Sequence, residues 1–274
     1  MDNNLKLLID RLEAERCLEK NEYKMLIEGF SEEPAAYAAS KADRIRQSIY
    51  GKDVYIRGLI EVSNICANDC LYCGIRKSNA QCARYRLPLE TVLECCRKGY
   101  ELGFRTFVMQ GGEDGFFTAE HICRYVSSIK KSFPDCAVTL SLGEYSKEEY
   151  KAMYDAGADR YLLRHETADK AHYEKLHPAS MSFEKRMKCL EDIKETGFQT
   201  GCGFMVGSPY QTSDTLAADL KFIENFKPHM CGIGPFIPHK DTPFGSCPAG
   251  TAELTVYLLS LIRLIRPDIL LPAT

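Results

Sequence analysis

The sequence predicts an α/β fold, a TIM-type (βα) barrel of parallel strands, incomplete at its C-terminal end and preceded by an N-terminal helical extension. Three observations predict it. From residue 51 onward, strand-like segments alternate with helix-like segments of about ten to fifteen residues, the pattern of βαβ units on a parallel sheet. Seven such strands follow one another at regular spacing, as in a barrel. The apolar strands give way, in order, to "SNICANDCLYCG", "QGGED", "SLGE", "RHETAD", "MVGSP", "GPFIPHKDTP" and "PAT", so that Gly, charge and hydroxyl collect at one end of the sheet. In parallel α/β folds that end carries the active site. The alternative architecture is an open doubly wound sheet. A closed eightfold barrel would need one more strand and helix than the seven strands read here.

The elements follow in order. Residues 1–50 form the helical extension: "NLKLLIDRLEAERCL" has apolar residues at helical spacing, and "PAAYAASKADRIRQSIYG" opens with Pro and closes with Gly. Residues 51–274 form the barrel domain, which stops after the seventh strand. "DVYIRGLIEVS" is the first strand and "LPLETVLECCRKGYELG" a helix stopped by Gly103. "RTFVMQ", "CAVTLSLGE" and "DRYLLRHETAD" are strands separated by the helices "TAEHICRYVSSIKKSF" and "SKEEYKAMYDAGA". "SFEKRMKCLEDIKETG", "TSDTLAADLKFIENF" and "AELTVYLLSLIRLI" are helices that precede the strands "QTGCGFMVGSP" (after the first), "HMCGIGPFIPHKDTP" (after the second) and "DILLPAT" (after the third).

Composition narrows the function. The 274 residues are 45% hydrophobic, enough for one large core. Net charge is −3 with acids and bases interspersed, so no basic field is present to hold nucleic acid. The N-terminus has no basic stretch leading into an apolar run, and the apolar tail is broken by Arg263, Arg266 and Pro267, which argues against a signal peptide and a membrane span. Thirteen cysteines, an odd number in a long chain, read as reduced thiols and imply a cytoplasmic location. Cys95, Cys96, Cys123, Cys136, Cys189, Cys202 and Cys231 fall at core positions.

Cys66, Cys70 and Cys73 differ. They sit C-x3-C-x2-C in a polar loop beside Asn64, Asn68 and Asp69. A structural zinc site takes four ligands from paired knuckles, and no second pair follows. An electron carrier takes four thiolates for its cubane, and Cys82 is the nearest further candidate. A catalytic zinc takes three protein ligands, but these seldom come from a single eight-residue loop; a further reading is a 4Fe–4S cluster with one iron left free to chelate a ligand.

This loop, with Tyr72 before its last cysteine, its place after the first strand and "GGED" after the second, resembles the signature of the radical SAM enzymes. The resemblance implies a 4Fe–4S cluster held by Cys66, Cys70 and Cys73, S-adenosylmethionine on the open iron, and a 5′-deoxyadenosyl radical formed by reductive cleavage. Longer stretches, "YLLRHETA" and "GIGPFIPH" above all, are similar to the HydE maturases of FeFe-hydrogenase, in the biotin synthase-like branch. That likeness covers residues 50–274. It implies that Tyr72, Gln110, Gly111, Gly112, Glu113, Ser141, Glu166, Arg186 and Met205 surround the cofactor. Gly111 and Gly112 would let backbone approach closely, Glu113 and Asp114 would fix the turn or take the ammonium, and Arg186 would lie near the carboxylate. Arg164 and Thr139 would face the barrel interior and an anionic iron–cysteine–carbonyl–cyanide precursor. Read without the resemblance, Arg164 and Glu166 form a rim ion pair, and His165 points away from the lumen.

The implied partners are a small-molecule or iron-complex substrate, other hydrogenase maturases and a reductant protein. Methylornithine synthase and biotin synthase-like enzymes are alternatives within the superfamily. A non-catalytic iron–sulfur electron-transfer protein is the alternative outside enzymes.

Overall fold

The computed structural model describes residues 2–272, so Met1, Ala273 and Thr274 lie outside it, and with them the end of the "PAT" exit. Three helices open the chain: α1 (Asn3–Glu15), α2 (Lys20–Glu28) and α3 (Glu32–Tyr50). Asp2 caps α1, accepting from the Asn4 N–H at 2.9 Å. A Glu19–Glu22 capping box starts α2. Gly51, at φ +62°, ends α3. Leu8, Ile9, Leu12, Tyr23 and Leu26 are buried in the same core as the strands, against α9 (Ser213–Phe226) and α10 (Ala252–Ile265). The extension is therefore a wall of the common core.

The alternating pattern then builds β1 (Gly58–Ser63), α4 (Leu89–Glu101), β2 (Thr106–Gly111), α5 (Ala119–Ser132), β3 (Ala137–Ser141), α6 (Lys147–Asp155) and β4 (Arg160–Leu162). After it come α7 (Lys170–Leu176), α8 (Phe183–Thr196), β5 (Gln199–Cys202), β6 (Met205–Val206), β7 (Met230–Cys231) and β8 (Gly234–Pro235), with α9 and α10 following β6 and β8. Strands β1-β2-β3-β4-β5-β7 form one sheet in chain order, all pairs parallel, and β6 pairs with β8 beyond its end. The sheet curls as a barrel wall and is not closed.

The register sorts side chains by face. Ile60, Met109, Leu140 and Tyr161 align across β1 to β4 and are buried in the core under the helices. Glu61, Gln110 and Ser141 align on the opposite face, with Leu59, Val108, Thr139 and Arg160 one step deeper. Polar groups thus line the lumen.

Four details depart from the sequence reading. Residues 53–57 are not strand, and β1 begins at Gly58. The fifth and sixth strands are each broken in two: a Cβ on Gly203 would stand 2.0 Å from the Gly232 carbonyl oxygen, so the two chains cross too closely there for an unbroken ladder. The seventh strand is a single bridge, Leu270 to Met230, because it lies between Pro267 and Pro272 and faces only a two-residue partner. Helix α7, which the sequence reading passed over, occupies part of the exit from β4.

Candidate functional site

Residues 64–88 run from β1 to α4 and carry the three cysteines. Polar side chains, not apolar packing, set the loop's shape. The Arg84 guanidinium donates to the carbonyls of Asn64 (2.5 Å), Ile75 (2.7 Å), Arg76 (2.6 Å) and Asn79 (3.2 Å). Asp69 accepts from Arg76 Nε (2.7 Å), Ser78 N (3.0 Å) and Ser78 Oγ (2.5 Å), with Arg76 first among the groups that hold its carboxyl well below the ordinary range. Asn64 accepts from the Tyr85 N–H at 2.7 Å.

The end of β2 presses on this loop. The Gly112 N–H donates to the Ser63 carbonyl (3.1 Å) and the Ala67 N–H to the Glu113 carbonyl (2.9 Å). A Cβ on Gly112 would stand 2.3 Å from the Ile65 carbonyl oxygen and 2.7 Å from Cys66 Cβ. Only glycine permits that approach. Asp114 fixes the turn: it accepts from Ser63 Oγ (2.7 Å), both faces of the Arg86 fork (2.6 and 2.8 Å) and the Phe116 N–H (3.1 Å). Burial would raise its pKa, but these donors hold it below the ordinary value. Of the two acids considered for the ammonium, Asp114 is thus fully engaged by protein, whereas the carboxyl of Glu113 is raised by burial, with Arg186 opposing.

Cys66, Cys70 and Cys73 are half-buried free thiols. Burial first, then the neighbouring Cys73, pushes Cys70 up to about 12, with Arg186 opposing; Cys73 is raised for the same first reason. Thiols this buried ionise only against a cation, which an iron cluster would supply. Among the described residues, no three Cys, His, Asp or Glu side chains converge on one point as the ligands of a single ion do. A cubane does not require that, since each thiolate binds a different iron. The donor set fits such a cluster and leaves its fourth iron without a protein ligand from this loop.

The remaining candidates gather around the loop in two sets. Leu71 and Tyr72 pack against the apolar cluster that includes Leu176, Met205, Phe236 and Phe244. Tyr72 Oη donates to His177 Nε2 at 3.1 Å, because His177 Nδ1 already donates to the Tyr173 carbonyl at 2.9 Å. The Leu71 N–H donates to the Leu176 carbonyl (3.0 Å), and Cys70 Sγ lies 3.6 Å from Met181 Sδ. Helix α7 is thereby docked on the cysteine loop.

The second set lies across the strand ends. Arg186, from the first turn of α8, donates through Nε to Glu144 Oε1 (2.7 Å) and through Nη1 to the Arg164 carbonyl (2.8 Å); its Nη2 is 3.7 Å from Glu113 Oε1. Glu166 sits at φ +64°, a left-handed conformation that a glutamate holds only where its surroundings impose it. Its Oε2 pairs with Arg164 Nη2 at 3.3 Å, yet those two atoms and Arg164 Nε lack hydrogen-bond partners among the described residues. The rim ion pair exists and is unsaturated. Gln110 and Ser141 stand side by side on the lumen face at the ends of β2 and β3. Thr139 is two residues deeper on that face and buried, and no contact joins it to Arg164 among those described.

His165 points away from the lumen. Its ring is buried, its Nδ1 accepts from the Gly203 N–H (3.3 Å), and its Nε2 donates to Asp219 Oδ1 (3.3 Å). Asp219 also accepts from the Ala168 N–H (2.5 Å). Sequence reasoning missed the supporting roles of Arg84, Glu144, Tyr173, His177 and Asp219. "RYRL" and "SLGE" were visible as motifs, but their partners are distant in sequence. A cavity of about 440 Å³ lies behind the loop, lined by Glu61, Cys73, Cys82, His239 and Asp241 among others.

A curled parallel sheet whose first strand exit carries three half-buried thiols in one loop, and whose other exits offer acids, arginines and a glycine cradle, defines a βα-barrel protein with a donor set that fits an iron–sulfur cluster and a polar ligand. The radical SAM superfamily model matches residues 60–223, and the chain belongs to that superfamily. The family's cofactors are a 4Fe–4S cluster and S-adenosylmethionine. The chain is 47% identical over 233 residues to the [FeFe] hydrogenase maturase subunit HydE of Thermotoga maritima, a match covering 85% of this chain and 66% of that protein. It is 26% identical over 275 residues to 3-methylornithine synthase of Methanosarcina acetivorans, covering 100% of this chain and 72% of that one. Among solved structures, methylornithine synthase (PylB) superposes with a TM-score of 0.87 at 24% identity, over 97% of this chain and 78% of its own.

Proposed function

We propose that this chain carries the radical SAM barrel of a HydE-type hydrogenase maturase, acting with other maturases on an iron–cysteine–carbonyl–cyanide precursor. The single observation that carries the reading is the 47% identity to the Thermotoga maritima protein over 85% of the chain, against 26% to the methylornithine synthase. The chain spans 66% of that maturase's length, so the whole protein's activity is part of the proposal. The cytoplasmic location belongs to it too, supported by thirteen free thiols.

When bound, the reduced cluster and S-adenosylmethionine supply a 5′-deoxyadenosyl radical. The chain's own residues do the rest. Cys66, Cys70 and Cys73 ligate, and Arg84 and Asp69 hold their loop in shape. Gly111 and Gly112 admit backbone close to the ligand. Glu113 and Glu166 offer carboxylates to its ammonium and hydroxyls, and Arg186 faces its carboxylate. Arg164 and Thr139 present a cation and a hydroxyl to an anionic substrate in the lumen. The buried wall of Met205, Leu176 and Phe236 excludes water.

The test is anaerobic. The protein is reconstituted with iron and sulfide, reduced and given S-adenosylmethionine. The expected product is 5′-deoxyadenosine, lost in Cys70→Ala. A zinc-loaded protein, or a cubane with all four irons ligated by side chains, would favour the electron-transfer alternative and end this reading.

A further inference from the structure

The three cluster cysteines do not share one environment. Cys66 Sγ accepts a hydrogen bond from the Asn68 N–H at 3.4 Å. Burial raises the Cys73 thiol, and the Ile75 N–H opposes it as a donor. The hydrogen bond that the structure gives Cys70 Sγ runs instead to a thioether, Met181 Sδ, at 3.6 Å. Once Cys70 has lost its proton to ligate iron, that neighbour has no N–H or O–H to offer the thiolate. It is soft, polarisable bulk at the sulfur, supplied by a residue 111 positions away in the chain.

The backbone on both sides holds Met181 there. Upstream, the Leu176 carbonyl accepts from the Leu71 N–H (3.0 Å) and His177 Nε2 from the Tyr72 hydroxyl (3.1 Å), which fastens the end of α7 to the cysteine loop. The Met181 N–H donates to the Pro178 carbonyl at 2.9 Å and closes a turn. Downstream, Ser182 caps α8, its hydroxyl accepting from the Lys185 N–H at 3.2 Å. Met181 and Cys70 are both half-buried. Solvent is therefore close by, and the Met181 side chain takes up space at the sulfur that water would otherwise fill.

We infer that Met181 keeps hydrogen-bond donors and water off the Cys70 thiolate and so holds the cluster's reduction potential low. Reduction adds negative charge to a cubane, and donors at its sulfurs stabilise that charge and raise the potential. A corner without donors does the reverse. It leaves the reduced cluster the stronger reductant, which suits an electron that must break a sulfonium carbon–sulfur bond. Met181 acts through Cys70 and is a positioning residue. The inference rests on the radical SAM reading above and adds to it a residue that sets the cluster's potential.

The experiment uses the anaerobically reconstituted chain and two variants. Met181→Leu keeps the bulk and offers no donor; Met181→Gln keeps the length and adds an N–H donor. Iron and sulfide per chain are measured. The cluster is then titrated with dithionite in the presence of redox mediators and followed by electron paramagnetic resonance. We expect unchanged iron in both variants and the wild-type midpoint in Met181→Leu. In Met181→Gln the ratio of reduced to oxidised cluster at a given potential should rise about tenfold, the scale of one hydrogen bond to a charged acceptor, which is a midpoint about 59 mV less negative. An unchanged midpoint in Met181→Gln overturns the inference while leaving the functional reading intact. So does an equal shift in both variants, or a loss of iron in either. A wild-type protein that takes up no cubane overturns both.

Discussion

Gly112 is the residue at which the cluster loop has least freedom. Its missing Cβ is occupied by the Ile65 carbonyl oxygen, a backbone atom that cannot rotate away. Gly112→Ala is expected to push the cysteine loop off the end of β2 and to lower iron incorporation severalfold, measured as iron per chain after reconstitution; full loading would show that the contact yields. Glu166 makes the opposite case. Its carboxylate is paired with Arg164 but incompletely hydrogen-bonded, in a backbone conformation costing about 1–3 kcal/mol. Glu166→Gln is expected to leave iron content unchanged and to weaken S-adenosylmethionine binding by about tenfold, the scale of one charged contact; equal affinity would make the pair purely structural. At this scale the C-x3-C-x2-C spacing was legible because it lies within one loop. The asymmetry between Asp114 and Glu113 was not, since it depends on Arg86 and Arg186, which arrive from other elements.

Helix α7 is the element the site depends on and the sequence reading lacked. Its seven residues are too few for a convincing period, and it sits in what looks like a strand exit. It docks on the cysteine loop through Leu176 and, at its C-cap, His177. Burial lowers the His177 pKa from 6.5 to about 4, and His172 is lowered for the same first reason. Between about 6.5 and 4 the unfolded chain binds a proton that the folded chain refuses, so stability falls as pH drops through that window and is unaffected above it. From pH 7 to pH 5 the His177 contribution is about 2 kcal/mol. Urea unfolding at the two pH values should show a smaller acid loss for His177→Gln than for the wild type; equal losses would refute it. The exit from β4 and helix α9 are joined by the buried His165–Asp219 pair. Asp219→Ala strands the Ala168 N–H and the His165 ring, and is expected to destabilise by about 2–4 kcal/mol, read from the urea midpoint.

Among the described residues one large core holds most of the buried apolar side chains, and a smaller cluster packs under the cysteine loop. Leu8, Ile9, Leu12, Tyr23 and Leu26 share the large core with the strands, and Tyr257 of α10 donates to the Leu26 carbonyl at 3.1 Å. The sequence reading separates residues 1–50 from the barrel, but their removal would bare the apolar faces of α9 and α10. A chain beginning at residue 51 is expected to aggregate on expression; a soluble monomer by size-exclusion chromatography would mean that the extension is a separate unit. The alternating βα pattern, the polar strand ends and the thiol loop followed from sequence, because periodicity and turn chemistry are local properties. Cooperation of those ends was decided by the tertiary structure. Strand register placed Gln110 beside Ser141, the crossing at Gly203 and Gly232 split two strands, and α7 docked His177 on Tyr72 of the cysteine loop. Such contacts join residues far apart in the chain, and burial and electrostatics act through space.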